Sequence, residues 1–197
     1  MKCKTIIILV IALFLYAFSY TQIKDKNSGI FTDLRDGQEY KWVKIGNQIW
    51  MAENLNFKIN GSWWYENDEE NGHKYGRLYT WEAAVKACPE GWHLPSVQEW
   101  TQLEKHLGMS KTELNAVDYR DPDKQLKTKL RNMGFTLPLA GCRTFHDGHF
   151  LGKDRFTFFW SATPYKEIYA WKRVFDIKTE GIGRHTHNKK HANSVRC

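Results

Sequence analysis

Residues 75–100 read YGRLYTWEAAVKACPEGWHLPSVQEW and contain the start signals of two consecutive helices. In the first, Thr80 stands at the N-cap position and Pro89 ends the segment. The apolar residues between them recur at helical spacing and predict one buried face: Trp81, Ala84, Val85 and Cys88. In the second, Ser96 and Glu99 form the two ends of a capping box ahead of another apolar face. The stretch therefore predicts two amphipathic helices separated by a short connection.

The segments before this stretch predict a hairpin and a loop. Residues 39–45 and 48–52 are rich in aromatic and β-branched side chains and flank the turn signal Gly46-Asn47. Residues 58–74 are polar and acidic around three consecutive aromatic residues, and they predict a loop.

The segments after it begin with helix signals and end with strands. Ser110 opens a short helix through a second capping box, and Asp121-Pro122 opens another that ends at Gly134. Five strand-like pieces follow, at residues 135–143, 148–150, 156–161, 169–177 and 193–197. Helices in the first half and short antiparallel strands in the second predict an α+β fold.

The first 21 residues have the pattern of a secretory signal peptide. A positive start and apolar residues 5–18 are followed by small or polar residues just before Gln22. The apolar run is shorter than the about 20 residues that cross a bilayer as a helix. We expect an exported protein (periplasmic, cell-surface or secreted) with a signal peptide at 1–21, a polar leader at 22–30 and one domain at 31–197. The mature form would have no membrane span; an uncleaved anchor is the alternative.

The net charge limits the classes of partner, and the cysteines indicate the redox state of the compartment. The formal net charge is +7, and removal of the signal peptide takes away two lysines and no acid. The densest basic patch, residues 184–190, lacks interleaved aromatic residues, which argues against nucleic acid as a partner. Cys88, Cys142 and Cys197 remain after cleavage, and in an oxidising compartment they predict one disulfide and one free thiol.

Five stretches, in this order, resemble the secreted bacterial family called the Fibrobacter succinogenes major paralogous domain. They are DGQEYKWVKIGNQIWMAENL, YGRLYTWEAAVKACPEGWHLPSVQEW, GFTLPLAGCR, FWSAT and SVRC. The resemblance covers nearly all of residues 31–197. It implies a C-type lectin-like fold related to the formylglycine-generating enzymes, with two main helices packed on short antiparallel sheets with long loops. It also implies a disulfide between Cys88 and Cys197, which would close a loop of roughly 110 residues and contribute about 4–5 kcal/mol in the chain-entropy model.

Two departures from the family pattern carry expectations of their own. The family commonly has a cysteine pair in the segment WWYENDEENGHKYG, where this chain has Trp64 and His73. Without that pair we expect a looser loop. The family usually has a residue other than cysteine at the position of Cys142, which we therefore expect to be unpaired.

Aromatic residues are abundant, and most of them predict core packing. Six tryptophans lie in the matching stretches and are expected in the core: Trp42, Trp50, Trp81, Trp92, Trp100 and Trp160. Trp63, Trp64 and Tyr65 instead lie in the polar segment 58–74. Two interpretations of these three residues stay open, a sugar-stacking platform or a half-buried cover of the hairpin.

Metal and catalytic sites receive little support from the sequence. The motifs by which C-type lectins bind calcium, Glu-Pro-Asn or Gln-Pro-Asp with Trp-Asn-Asp, do not occur. His185 and His187 share a face if their segment is extended, as a metal site would need, but lysines separate them from His191. Cys142 and His146 are a candidate nucleophile and base, against the simpler interpretation of Cys142 as a half-buried strand cysteine. We assign no metal, cofactor or catalytic residue.

The sequence favours an exported, non-catalytic binding or adhesion module. Its variable loops, residues 144–153 and 178–193, are expected to present a surface to a glycan or protein partner. The candidate binding residues there are polar and basic: His146, Asp147, His149, Lys153, Arg184, His185 and His187. Their positive balance favours an acidic partner such as a uronic-acid glycan. The alternatives are an enzyme of formylglycine-generating type, a hydrolase on the same scaffold, or a structural surface protein without a ligand.

Overall fold

The computed structural model describes residues 27–120, 125–179 and 181–197. The predicted signal peptide, most of the leader and the Asp121-Pro122 helix start lie outside the described residues. The described part contains five α-helices: α1 (Glu69–Tyr75), α2 (Trp81–Ala87), α3 (Val97–His106), α4 (Lys111–Asn115) and α5 (Leu126–Asn132). None of the helices in this part is long and apolar enough to cross a membrane.

The strands form a small N-terminal sheet and one large sheet. They are β1 (Ser28–Thr32), β2 (Glu39–Ile45), β3 (Gln48–Met51), β4 (Ser62–Trp63), β5 (Leu78–Tyr79), β6 (Asp118–Arg120), β7 (Ala140–Arg143), β8 (Phe150–Lys153), β9 (Phe156–Tyr165), β10 (Tyr169–Asp176), β11 (Ile182–Asn188) and β12 (Asn193–Ser194). The small sheet has the order β1-β2-β3, and the large one runs β4-β5-β12-β9-β10-β11-β6, with β7 pairing β9 and β8. The long strands β9, β10 and β11 are antiparallel neighbours. The predicted α+β class is confirmed.

The N-terminal hairpin forms as the turn signal predicted. Gly46 has a φ of +61°, a left-handed conformation that glycine adopts without a steric penalty, and Val43 pairs with Trp50 across the two strands. A further strand, β1, begins at Ser28 within the segment expected to be the leader, and it pairs with β2.

The prediction of a loop over residues 58–74 was wrong in part. The segment contains a 3₁₀ turn at Tyr65–Asn67 and most of α1, whose N-terminus is capped by Asp68 through the Glu70 backbone N–H. The expected looseness is not seen either, because the Trp64 indole packs directly on Gly72 of α1, where a β-carbon would collide with it. An aromatic contact thus holds together residues 64–72, within the segment expected to be looser.

The helix caps were predicted correctly, and one helix face was not. Thr80 caps α2, and Ser96 and Glu99 form a complete capping box at α3. The buried face of α2 consists of Ala83, Ala84 and Ala87, whereas Val85 remains 40 % exposed. The helix therefore packs closely through alanines and turns Val85 outward.

The core is aromatic and lies between the small sheet, α3 and the large sheet. Trp100 of α3 is fully buried, with ring centroids 4.9 Å from Trp50 and 5.8 Å from Phe159. Trp160 is fully buried in a second cluster. The expectation of core tryptophans is thus confirmed for these three, while the other three are only partly buried: Trp42, Trp81 and Trp92.

A buried charge cluster lies beneath the large sheet and was not anticipated from sequence. The carboxylate of Glu104 in α3 accepts hydrogen bonds from Arg120 at 3.0 and 3.1 Å and from Arg173 Nε at 2.5 Å. Glu104 and Arg173 are completely buried and Arg120 nearly so. The cluster joins α3 to β6 and β10, and because its charges are shielded from water, losing one partner would leave the others uncompensated.

The long-range disulfide implied by the family resemblance is present. Cys88, directly after α2, is bonded to Cys197, the two being 109 residues apart in sequence. Cys142 lies buried in β7 as a free thiol, as expected. The bond joins the end of α2 to the C-terminal segment, which itself pairs with β3 through Met51 N–H and the Cys197 carbonyl at 2.8 Å.

Candidate binding cleft

A cleft of about 460 Å³ opens between the β2–β3 turn, the connection at residues 91–95 and α3. We call it the Trp92 cleft. Its lining combines two indoles with amide, imidazole and carboxylate side chains: Asn47, Gln48, Ile49, Trp50, Gly91, Trp92, His93, Pro95, Glu99, Gln102 and Cys197. Its volume lies within the range of about 300–1,000 Å³ typical of small-molecule sites.

Local sequence signals determine how the cleft is built. The Gly46-Asn47 turn places Gln48 at the start of β3, and the Gln48 side chain donates to the Glu99 backbone carbonyl at 3.1 Å. Gly91 has a φ of +81°, which lets the chain reverse direction ahead of Trp92 and His93. The capping box then fixes the start of α3. Residues 47–50 and residues 91–102, which are far apart in sequence, are thus held at fixed positions around one cavity.

The one carboxylate of the cleft is held in its charged form. Glu99 accepts a hydrogen bond from the Ser96 backbone N–H at 2.7 Å, and its other oxygen lies 2.5 Å from His93 Nε2. Partial burial raises the pKa of Glu99, but the hydrogen bonds from the Ser96 backbone and from His93 outweigh that effect, so the pKa lies below its ordinary value. The cleft therefore presents an ionised acceptor beside an imidazole that is largely exposed.

The two indoles of the cleft differ in their exposure to solvent. Trp50 is 2 % exposed and packs at a tilt against Trp100, so it forms a buried wall. Trp92 is partly buried, and its ring stacks on Phe31 with centroids 4.6 Å apart. Apolar aromatic surface next to amides and a carboxylate suits a polar ring such as a sugar, which needs both stacking and hydrogen bonds.

The candidate histidines divide into two groups. The expected loop at residues 178–193 is wrong for Ile182–Asn188, which form β11 and extend the sheet. His187 lies against His191 with ring centroids 3.9 Å apart, and His146 is 6.4 Å from His191, so these three come together. Burial, helped by the nearby charge of Lys172, lowers the pKa of His187 to about 2, so it is neutral. His185 instead lies 3.6 Å from Asp118.

The basic residues expected on one exposed surface are also separated. Arg184 projects from the opposite side of β11 to His185 and His187, since side chains alternate along a strand. Its guanidinium donates to the Leu114 carbonyl at 3.1 Å and lies over Trp171 at 4.6 Å. Lys153 Nζ lies 5.2 Å from the centroid of the Tyr65 ring and 3.4 Å from Asn71 Oδ1.

The remaining loop candidates pair locally. Asp147 lies 3.1 Å from His149, and its carboxylate also accepts from the Thr144 hydroxyl. These two residues are exposed at the tip of the connection between β7 and β8. The seven candidate residues therefore do not form a single surface.

The aromatic triple is divided among separate packing contacts. Trp63 lies under the guanidinium of Arg143 at 4.3 Å, and Trp64 Nε1 donates to Asn56 Oδ1 at 2.8 Å. Tyr65 is 6 % exposed, with its ring 5.1 Å from that of Phe150. A flat platform for sugar stacking is not formed by these three rings.

The described residues form neither a metal site nor a reactive thiol site. No group of three or more His, Cys, Asp or Glu side chains within residues 27–120, 125–179 and 181–197 is placed to hold a metal ion. Burial raises the pKa of the Cys142 thiol, and the nearby charge of Lys172 only partly offsets this, so the protonated form is favoured. A protonated, buried thiol is a poor nucleophile.

The cleft residues were overlooked because their signals were read as structural. Glu99 closes the capping box of α3, and Trp92 is partly buried against the second core cluster. Their place in the cleft depends on tertiary proximity, because Gln48 and Glu99 are 51 residues apart in sequence. The clustering of Trp92, His93 and Glu99 within one short stretch was the only local signal.

Comparison with known proteins identifies the family of this chain. The model of the Fibrobacter succinogenes major domain matches residues 43–197. This range includes the five described helices, all strands of the large sheet and the whole Trp92 cleft. No curated protein and no solved structure gives a significant match.

Proposed function

We propose that the chain, which belongs to the Fibrobacter succinogenes major domain family, is an exported, non-catalytic module that binds a glycan in the Trp92 cleft. The observation that carries the proposal is the composition of that cleft. It places the indoles of Trp50 and Trp92 beside the carboxylate of Glu99 and the side-chain amides of Gln48 and Gln102.

Preorganisation supports binding at this position. The wall formed by Trp50 is fixed by the core, and Glu99 is fixed by its hydrogen bonds to Ser96 and His93. The disulfide between Cys88 and Cys197 holds the C-terminal segment at the edge of the same cleft. A rigid site loses little conformational entropy when a ligand binds, so a small cleft can reach useful affinity.

A C-type lectin-like arrangement and an extracytoplasmic location belong to the same proposal. The fold assignment is supported by a helix joined through a long-range disulfide to the C-terminal strand region, with α2 and α3 against a sheet whose long strands are antiparallel and in which β7 and β12 pair with β9 in parallel. The disulfide also supports export, since such bonds persist mainly in oxidising compartments.

A glycan array with the mature domain tests the proposal, followed by calorimetry on the glycans that bind. His93→Ala combined with Gln102→Ala should weaken binding by at least about tenfold, equivalent to about 1.4 kcal/mol. Both side chains line the cleft and are solvent-exposed, so the fold should be retained. Gln98→Ala is the matched control, because Gln98 is exposed on α3 outside the cleft.

Two results would overturn the proposal. One is an array without any bound glycan. The other is a glycan that binds the double variant as tightly as it binds wild type and the Gln98→Ala control, which would place its site elsewhere.

A further inference from the structure

Lys172 is a buried cation without a protein partner. It lies in the middle of β10, opposite Trp160 on β9 and His185 on β11, and its side chain is 7 % exposed. Its Nζ lies 4.1 Å from the centroid of the Phe158 ring. Among the residues that the structure describes, no carboxylate pairs with this ammonium group and no acceptor hydrogen-bonds to it.

The other buried cations of the described part behave differently. Each of them donates at least one hydrogen bond within the protein: Arg77, Arg120, Lys127, Arg173 and Arg196. An ammonium group that keeps only slight contact with water and has no partner is costly, because most of the hydration it loses is not replaced. An unpaired cation at this position is therefore an exception within its own structure.

The side chains around Lys172 supply polar groups and no negative charge. The electrostatic neighbours of its ammonium are Cys142, His185, His187 and His191. His187 Nδ1 lies 3.2 Å from Asn193 Nδ2, while Asn193 Oδ1 and His191 Nδ1 are buried and have no hydrogen-bond partner in the described chain. None of these residues lines the Trp92 cleft.

We propose that the Lys172 side chain, with the stacked pair His187–His191 beside it and the Phe158 ring beneath it, binds the carboxylate of an acidic ligand. The ammonium supplies the charge that the carboxylate meets. Aromatic rings around the charge exclude water and strengthen the attraction. A uronic-acid sugar fits best, because its carboxylate meets Lys172 while its ring faces the partly exposed ring of Phe158. The site is independent of the Trp92 cleft and does not rest on the function proposed for it.

Small anions provide the test with the whole mature domain. Sodium glucuronate, acetate and inorganic sulfate are added separately, with glucose as the neutral control, while the ¹H–¹³C resonances of the lysine ε-methylene groups are followed. Glucuronate should shift the Lys172 resonance saturably and glucose should not. A response to glucuronate alone identifies an acidic sugar as the ligand, and a response to all three anions identifies a general carboxylate or oxyanion site.

A substitution tests whether Lys172 itself binds glucuronate. Lys172→Met keeps the length and apolar stem of the side chain and removes the charge, so the protein should fold and lose affinity for glucuronate by about tenfold or more. Lys190→Met is the matched control, because Lys190 is exposed on the connection after β11. The proposal fails if glucuronate leaves the Lys172 resonance unchanged, or if Lys172→Met binds it as well as wild type does.

Discussion

Replacement of Lys172 by methionine should stabilise the protein at neutral pH. Burial lowers the pKa of Lys172 from 10.5 to about 8. Since the pKa in the folded state is below that in the unfolded state, the unfolded chain binds more protons between these two values. The free energy of unfolding of the wild type therefore rises as pH rises through this window and is reduced by a constant amount below it.

The size of the effect follows from the same shift. One pKa unit corresponds to about 1.4 kcal/mol, so the reduction of stability below pH 8 amounts to about 3 kcal/mol. The wild type also gains about 1 kcal/mol from the contact between the ammonium and the Phe158 ring, and the variant loses this gain. We therefore expect Lys172→Met to be more stable than wild type by about 2–3 kcal/mol at pH 7, with the advantage disappearing as the pH rises through the window.

Urea unfolding followed by circular dichroism at several pH values measures this difference. The groups that face Lys172 also titrate, namely Cys142, His185, His187 and His191. The charge of Lys172 acts to lower the pKa of each of them, so the variant and wild type are compared at every pH and not at one alone. A variant that is less stable than wild type at pH 7, or a stability difference independent of pH, would refute the view that Lys172 is a buried and unpaired cation.

Three further variants test the local energetics. Ser96→Ala should lower the free energy of unfolding by about 1 kcal/mol because α3 loses its cap. If urea unfolding gives Ser96→Ala the same stability as Gln98→Ala, the helix begins elsewhere. Cys88→Ala with Cys197→Ala should cost about 4–5 kcal/mol in the chain-entropy model, and a loss below about 1 kcal/mol in the same melts would contradict the stabilising role of the bond. Glu104→Gln should cost about 3–5 kcal/mol, since it leaves two buried arginines uncompensated; a thermal midpoint equal to that of wild type would show that the cluster is hydrated or unimportant.

Features set by neighbouring residues were predictable from the sequence. The caps at Thr80 and Ser96 and the turn at Gly46 depend on side chains a few positions apart, and all three occur where the pattern placed them. The disulfide between Cys88 and Cys197 followed from the family resemblance rather than from spacing.

Features set by tertiary packing were missed. α1 lacks an apolar stripe and is held instead by the Trp64 ring on Gly72. β11 has the polar sequence IGRHTHN, which is typical of a loop. It forms a strand because β10 pairs with it and supplies hydrogen bonds and burial. Likewise Lys172 gives no signal in sequence, because a lysine in a strand ordinarily points to water. The Trp92 cleft forms where residues 47–50 and 91–102 come together, and no local sequence pattern predicts that contact.

The most direct test of glycan binding in the cleft follows the indole resonances of the protein during titration with the best ligand from the array. The ¹H–¹⁵N signal of Trp92 should shift progressively and saturate, since its ring borders the cleft. The signal of Trp171, which lies on β10 and does not line the cleft, should stay unchanged. A ligand that moves Trp171 or Trp63 and leaves Trp92 unaffected would contradict the assignment of the binding site.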